Sequence, residues 1–177
     1  MPALDPNHIL LAIERDLLHE DDQHTGWATA NKAIVSIAGD PFEVYEILAE
    51  GPRGFRVILL WEGDDDQPQG GTSYGITENR IEVTLSGNRG LSLKPGDNLH
   101  RDSPDGRPAL VTLLASLRRE IRSIRFADDG SSSAALEYRG SAPVVTPEGV
   151  RLDAYTLRFA ITTDIGAVED RAAQIPE

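Results

Sequence analysis

Three stretches of the chain repeat apolar residues at the spacing of one helical face. The first covers residues 5–18, where Asp5 can cap the helix and Pro6 suits its first turn. The second starts at residues 40–43 (Asp-Pro-Phe-Glu), which have the spacing of a capping box. The third and longest covers residues 108–124. The pattern therefore predicts two main helices and one short helix.

Other stretches have the pattern of β-strands. Residues 80–86 place Ile, Val and Leu on one face and polar residues on the other, as in a half-buried antiparallel strand. Residues 55–61 are apolar on both faces, which predicts a central strand covered on both sides. Further strands are predicted at residues 33–37, 134–138 and 152–163.

The predicted order is helix, strand, short helix, strand, strand, helix, strand, strand. Strands and helices do not alternate regularly, so we expect an α+β fold, with these helices packed on an antiparallel or mixed β-sheet. We predict a single domain over residues 1–166, with long loops at 63–78 and 87–107 because both are rich in turn-forming residues. Residues 167–177 are predicted to form a polar C-terminal tail.

Composition narrows the range of functions. The 177 residues can bury a core without cross-links, and the absence of cysteine excludes disulfides, thiolate nucleophiles and cysteine-ligated metals. The net charge of −12 disfavours binding to nucleic-acid phosphates or to anionic lipid. The chain has no apolar run of membrane-spanning length and no N-terminal targeting pattern, so we expect a protein used inside a cell and away from membranes.

Two acidic segments are candidates for cation sites. Residues 19–24 (His-Glu-Asp-Asp-Gln-His) contain ligand types that suit zinc, but His19 and His24 are five positions apart and do not share a helical face. Residues 64–66 are three adjacent aspartates, whereas a calcium loop uses alternating positions. We interpret the first segment as a solvated helix end and loop, and the second as a charged loop tip. We predict no metal and no other cofactor.

No catalytic arrangement is recognised in the sequence. Residues 70–75 (Gly-Gly-Thr-Ser-Tyr-Gly) resemble a phosphate loop only faintly, because they lack its lysine and follow an acidic run. No serine lies in a Gly-x-Ser-x-Gly elbow. Catalysis by two carboxylates, one acting as acid and one as base, remains an open alternative, since such pairs need not be close in sequence. We predict that the protein is not an enzyme. The alternative is an enzyme that uses carboxylates and a metal ion near His19 and His24.

Basic residues concentrate towards the end of the third helix. Arg118, Arg119, Arg122 and Arg125 lie where positive charge complements the helix dipole. Two interpretations stay open: the cluster contacts an acidic patch on a neighbouring copy of the chain, or it is the solvated side of an amphipathic helix. Aromatic residues are not interleaved with it, so a stacking platform for single-stranded nucleic acid is not predicted.

Several stretches together resemble the tail terminator proteins of long-tailed bacteriophages, a family of tail completion and head–tail joining proteins. The resemblance lies in the order and character of the elements over most of the chain. It includes the opening helix, the extended segments 55–61 and 79–85 (NRIEVTL), and the helix at 108–124 followed by 136–140 (LEYRG). The closing strand with residues 155–161 (YTLRFAI) completes it.

The resemblance implies a structural virion protein that needs no cofactor. Such proteins look like subunits of a sixfold ring that caps the tail tube, stops its polymerisation and presents a surface to the head. The expected partners are further copies of this chain, the tail tube protein and a head-completion or connector protein, in a virion assembled in the bacterial cytoplasm. Other minor tail or connector roles remain as alternatives, as does a monomeric acidic module that binds or inhibits a basic partner.

A closed ring requires head-to-tail contacts between complementary patches on two sides of one chain. Our hypothesis for these patches is a basic surface on one copy and an acidic surface on the next. The basic residues are Arg118, Arg119 and Arg122, and the acidic residues are Asp64, Asp65 and Asp66.

Overall fold

The fold is built on a mixed β-sheet of five strands. A computed structural model describes residues 5–50, 54–67, 76–88, 108–128, 132–146, 148 and 152–164. The predicted α+β class is confirmed. The elements of the described residues, in chain order, are α1 (Pro6–Leu18), α2 (Trp27–Asn31), β1 (Ile34–Ala38), α3 (Pro41–Ala49), β2 (Phe55–Gln67), β3 (Ile76–Asn88), α4 (Leu110–Ser123), β4 (Arg125–Asp128), β5 (Ser132–Ala135), β6 (Glu137–Pro143) and β7 (Leu152–Asp164).

The strand order in the sheet is β1-β2-β3-β7-β6. β1 is parallel to β2, and α3 makes the connection between them. The remaining neighbours in the sheet are antiparallel. β4 and β5 form a separate two-stranded ribbon. Only β1 departs from the antiparallel pattern, so the predicted antiparallel or mixed sheet is a mixed one.

One face of the sheet, here called the helical face, carries the main core. α1 packs on β1 and β2, while α4 packs on β3, β7 and β6. The predicted apolar stripes of these helices are buried, because each points at apolar strand residues of the same face. The fully buried strand side chains of this core include Val57, Leu59, Val83, Leu85 and Phe159.

The opposite face, here called the α3 face, is apolar only beneath that helix. Leu48 of α3 is buried against Ile58 and Leu60 of β2 and Leu152 of β7. Both faces of β2 are therefore covered at residues 57–60, as the apolar pattern predicted, whereas Trp61 at the end of that pattern is 38 % exposed. Farther along the sheet this face is polar, which accounts for the alternation in residues 80–86.

The structure also corrects several predicted boundaries. The loop predicted at 63–78 is too long, because β2 continues to Gln67 and β3 begins at Ile76, with Asp64 paired to Asn79. The loop predicted at 87–107 is shortened by β3, which ends at Asn88, and residues 89–107 lie outside the described residues. The polar tail predicted at 167–177 also lies outside them.

Three elements were missed or misplaced by the sequence patterns. The helix α2 follows a polar segment and is too short to show a helical period. β4 was not predicted, and the strand predicted at 134–138 divides into β5 and β6 around Leu136. No helix among the described residues is long and apolar enough to cross a membrane.

Candidate assembly surface

The arginines of α4 lie on its outer side, because Leu113, Leu117 and Ile121 occupy the side buried in the core. Arg119 and Arg122 are exposed. These two guanidinium groups are therefore available to a partner, as one of the two interpretations of this cluster requires.

Arg118 has an additional contact within the chain. Its guanidinium carbon lies 5.0 Å from the centre of the Tyr138 ring, on strand β6. Tyr138 in turn meets Phe159 edge to face, with ring centres 5.7 Å apart. This cation–π contact holds Arg118 against the end of the sheet formed by β6. A further guanidinium, that of Arg139, comes from β6 itself. The sequence did not single out Arg139.

The three aspartates of the interface hypothesis belong to strand β2 and not to a loop tip. Asp64 is exposed and pairs with Asn79, while the backbones of Asp65 and Asp66 pair with Glu78 and Thr77 of β3. The interpretation as a charged loop tip was therefore wrong, because the β2–β3 ladder extends beyond the apolar part of β2. In the described part of the chain no ion pair links Asp64 to the arginines of α4.

A second acidic group surrounds the start of α3, beside β1. The Asp40 side chain accepts a hydrogen bond from the Glu43 N–H at 2.8 Å, and Glu43 accepts one from the Gly39 N–H at 2.7 Å. The first bond is the one expected of the predicted capping box, while the Glu43 side chain reaches the N–H of the residue before the cap. Asp40, Glu43 and Glu46 are exposed, and α3 contains no basic residue. From the sequence, Asp40 and Glu43 were predicted only as helix caps and Glu46 was not singled out, although the three form an acidic surface next to β1.

Exposed apolar side chains accompany these acids. Phe42 on α3 is 68 % exposed and Ile34 on β1 is 48 % exposed. Leu11 and Leu18 on α1 and Tyr45 on α3 are also exposed. Because α1 and α3 both pack on β1, the β1 side of the molecule combines acidic and apolar groups. Such a combination is typical of surfaces that bind another protein.

The polar part of the α3 face is crossed by ion pairs between strands. Glu82 on β3 accepts from Arg158 on β7 at 2.9 Å. Arg139 on β6 donates to Glu78 on β3 at 2.8 Å and lies 3.3 Å from Glu137. The hydrogen bond to Glu82 raises the pKa of the Arg158 guanidinium above its ordinary value. These pairs neutralise the central part of this face.

The segment at 19–24 brings its two histidines together. The ring centres of His19 and His24 are 5.9 Å apart, His19 donates to Asp21 at 2.7 Å, and His24 lies 3.6 Å from Glu120 of α4. The His19 hydrogen bond, followed by two backbone N–H groups, lowers the pKa of Asp21 to about 2. Within the described residues, no three His, Asp or Glu side chains are arranged to hold a metal ion.

The other residues that the sequence suggested for catalysis or ligand binding do not form a site within the described part of the chain. His8 is exposed near the start of α1. The faint phosphate-loop pattern at 70–75 and the fourth histidine, His100, lie outside the described residues.

Comparisons with known proteins add no family to this description. A scan against protein-family models gives no match to the chain, and a search of curated proteins gives none. The fold itself defines the class of the protein, an α+β domain with a mixed five-stranded sheet.

Proposed function

We propose that this chain is the subunit of a ring that caps the tail tube of a bacteriophage-like particle and forms its head–tail joining surface. Its partners in this proposal are further copies of the chain, the tail tube protein and a head-completion or connector protein. The resemblance of the sequence to tail terminator proteins leads to this function. The α+β fold is of the kind that the resemblance implies.

The observation that carries the proposal is the opposite charge of the two ends of the sheet. Next to β1, at one end, lie the exposed carboxylates of Asp40, Glu43 and Glu46. At the other end α4 packs on β6 and presents Arg119 and Arg122. One chain thus has complementary surfaces on opposite sides, which is the requirement for a head-to-tail contact that closes into a ring.

The exposed apolar side chains on the β1 side support the same proposal. Charge complementarity mainly steers association and selects the partner, while buried apolar surface supplies most of the affinity. Phe42, Tyr45 and Ile34 would lose water contact in a junction on this side. A chain with a net charge of −12 also gives a ring lumen that does not hold DNA phosphates, so that DNA can pass.

The first experiment measures the solution mass of the purified chain by light scattering at low and at moderate salt, with negative-stain images of the same samples. We expect rings with about six times the mass of the 19.3 kDa chain. A monomer under all conditions would contradict self-assembly in the absence of the tail tube and would give the acidic binding module equal standing. A monomer that forms a tight complex with one basic protein would instead favour the acidic binding module.

The second experiment tests the role in the particle. Tail tube protein polymerises in the presence and absence of the purified chain, and tube lengths are measured in electron micrographs. We expect the chain to bind tube ends and to shorten the tubes in proportion to its concentration. Tubes of unchanged length with the chain elsewhere in the particle would favour another minor tail or connector role.

A further inference from the structure

We infer that neighbouring copies join by pairing the outer edge of β1 on one copy with the outer edge of β6 on the next, so that their sheets become continuous. This inference rests on the proposed head-to-tail assembly and names its contact. Among the described residues β1 and β6 are the two outer strands of the sheet. Outer strands present unpaired N–H and C=O groups that can pair with another chain.

β1 lacks the features that usually keep an outer strand from pairing with another chain. Natural edge strands are usually protected by charged residues, proline or a bulge. Residues Ile34–Ala38 contain no charge, no proline and no bulge. Ile34 is 48 % exposed, and Val35 and Ile37 are only half-buried although they point into the helical face. A partner strand would cover these side chains and satisfy the backbone.

β6 provides a matching strand of nearly the same length. Its single proline, Pro143, is its last residue, and so each of the residues 137–142 keeps its N–H group. β6 also carries the charged residues Glu137 and Arg139 and a bulge next to Arg139, so the part of β6 most open to pairing is the stretch that follows the bulge. Setting Ala142 opposite Ile34 places the five residues of β1 opposite 138–142, and setting it opposite Ser36 places them opposite 140–144, with Pro143 opposite Val35.

The strand directions suit a ring. β1 is parallel to β2, and three antiparallel steps through β3, β7 and β6 make β6 antiparallel to β1. Rotation about an axis parallel to the strands leaves the strand directions the same in every copy of the ring. β6 of one copy therefore meets β1 of the next in the antiparallel sense, and all helical faces lie on the same side of the joined sheet.

The charges next to the two edges match in this arrangement. On the helical face, α4 with Arg119 and Arg122 would lie beside α1 of the next copy, which contains the half-buried Glu14 and Asp16 on either side of the exposed Arg15. A two-fold contact of β1 with β1 would instead bring two acidic surfaces together.

Paired cysteines test the contact directly, because the chain has no cysteine of its own. Ser36 and Ala142 both lie on the α3 face, as their partners Ile58 and Thr156 show. In the double variant Ser36→Cys/Ala142→Cys, mild oxidation should link copies into a ladder of covalent oligomers. A second double variant, Ile34→Cys/Ala142→Cys, covers a register shifted by two residues.

The single variants Ser36→Cys and Ala142→Cys are the controls. Each alone should give no covalent oligomer, and an equal mixture of the two should stop at linked pairs. Linked pairs from Ser36→Cys alone would overturn the inference in favour of a two-fold β1 contact. Rings that form normally but that neither double variant links would also overturn it, while leaving the proposed function in place.

A lysine on the edge gives a second measurement. Ile34→Lys should remove ring formation while the monomer keeps its circular dichroism spectrum, because an edge lysine blocks strand pairing. Trp61→Lys is the control on β2, an inner strand of the sheet where an apolar residue is also exposed, and should leave the rings unchanged. Slow hydrogen exchange of the β1 amides that do not pair with β2, in a monomeric wild-type sample, would show that the chain covers its own edge and would overturn this inference.

Discussion

At the scale of single residues, Gly26 is the glycine of the described part of the chain with the least room for a side chain. A Cβ atom there would lie 2.4 Å from the Asp16 carbonyl oxygen and 2.5 Å from that of Leu17. Both atoms belong to the backbone at the end of α1, so they cannot move aside by a change of rotamer. The Gly26 N–H also donates to the His19 carbonyl at 2.7 Å. The turn between α1 and α2 therefore requires glycine.

Gly26→Ala should lower the free energy of unfolding by about 1–3 kcal/mol, the usual cost of forcing extra atoms into a packed site. Urea unfolding followed by circular dichroism measures it. Gly39→Ala is the matched control, since its Cβ meets only the flexible Glu43 side chain, at 3.3 Å. We expect it to be neutral or slightly stabilising. Equal losses in the two variants would contradict the packing argument.

Asp21 gives a prediction about pH. Its pKa is lowered to about 2 from 3.8, first by the hydrogen bond from His19 and then by the N–H groups of Gln23 and His24. A lowered carboxyl pKa adds stability above the unfolded value, and that stability is lost as the pH falls from near 3.8 through about 2. The 19–25 turn should therefore loosen in this acidic window.

The measurement is a carbon-13 NMR titration of the Asp21 carboxyl, with an expected midpoint near 2. His19→Ala should raise this midpoint towards 3.8 without reaching it, because the two backbone donors remain. Asp21→Asn is the control, and should remove the part of the pH dependence of unfolding that this carboxyl causes. An unchanged midpoint in His19→Ala would contradict the assigned cause.

At the scale of secondary-structure elements, α2 depends on a contact with a distant part of the chain. The Trp27 indole N–H donates to the Ser116 hydroxyl of α4 at 2.8 Å, and that hydroxyl donates to the Leu113 carbonyl at 2.9 Å. Trp27 is only 6 % exposed, so water cannot readily replace the serine. An isolated helix of five residues would be unstable, and packing against α1 and α4 maintains it.

Ser116→Ala should therefore destabilise the fold by about 1–3 kcal/mol, because it leaves a buried indole N–H without an acceptor. Chemical unfolding followed by Trp fluorescence measures the loss. Ser123→Ala is the matched control, as that hydroxyl bonds to the Glu120 carbonyl at the exposed end of α4. Its effect should stay within about 0.5 kcal/mol. In the Trp27→Phe background, Ser116→Ala should cost less, since the indole donor is gone.

Most of the elements could be predicted from the sequence, because their signals are local. The caps Asp5 and Asp40 and the two-sided apolar pattern of 55–61 act within a few residues. α2 could not be predicted, since its stabilising contact spans 89 positions. The extension of β2 through its aspartates could not be predicted either, because pairing with β3 overrides the low strand propensity of aspartate.

At the scale of the whole molecule, the candidate assembly surface was predictable only in part. The arginines of α4 stand out in the sequence, and Arg119 and Arg122 are exposed. The acidic surface proposed to meet these arginines is now the one on the β1 side, in place of the β2 aspartates. That change depends on which strands are outermost, and the order β1-β2-β3-β7-β6 is a property of pairings between distant segments. No local pattern contains this information.

If complementary charges direct the assembly, reversing one side must weaken it. Arg119→Glu/Arg122→Glu should reduce the association constant of each junction by about 3- to 10-fold, since exposed ion pairs contribute roughly 0.2–1 kcal/mol each. Assembly of the wild type should weaken as salt rises, and the variant should lose most of this dependence. Sedimentation velocity at several salt concentrations measures both effects.

Arg15→Glu is the informative control for this charge reversal. It makes the same kind of substitution at an exposed arginine, but on α1, which packs on the β1 side. Added negative charge on an acidic surface that meets arginines should leave assembly unchanged or strengthen it. Equal weakening by both variants would mean that the overall net charge, and not the opposition of two surfaces, governs association. The opposite signs expected for the two variants thus test the head-to-tail arrangement itself.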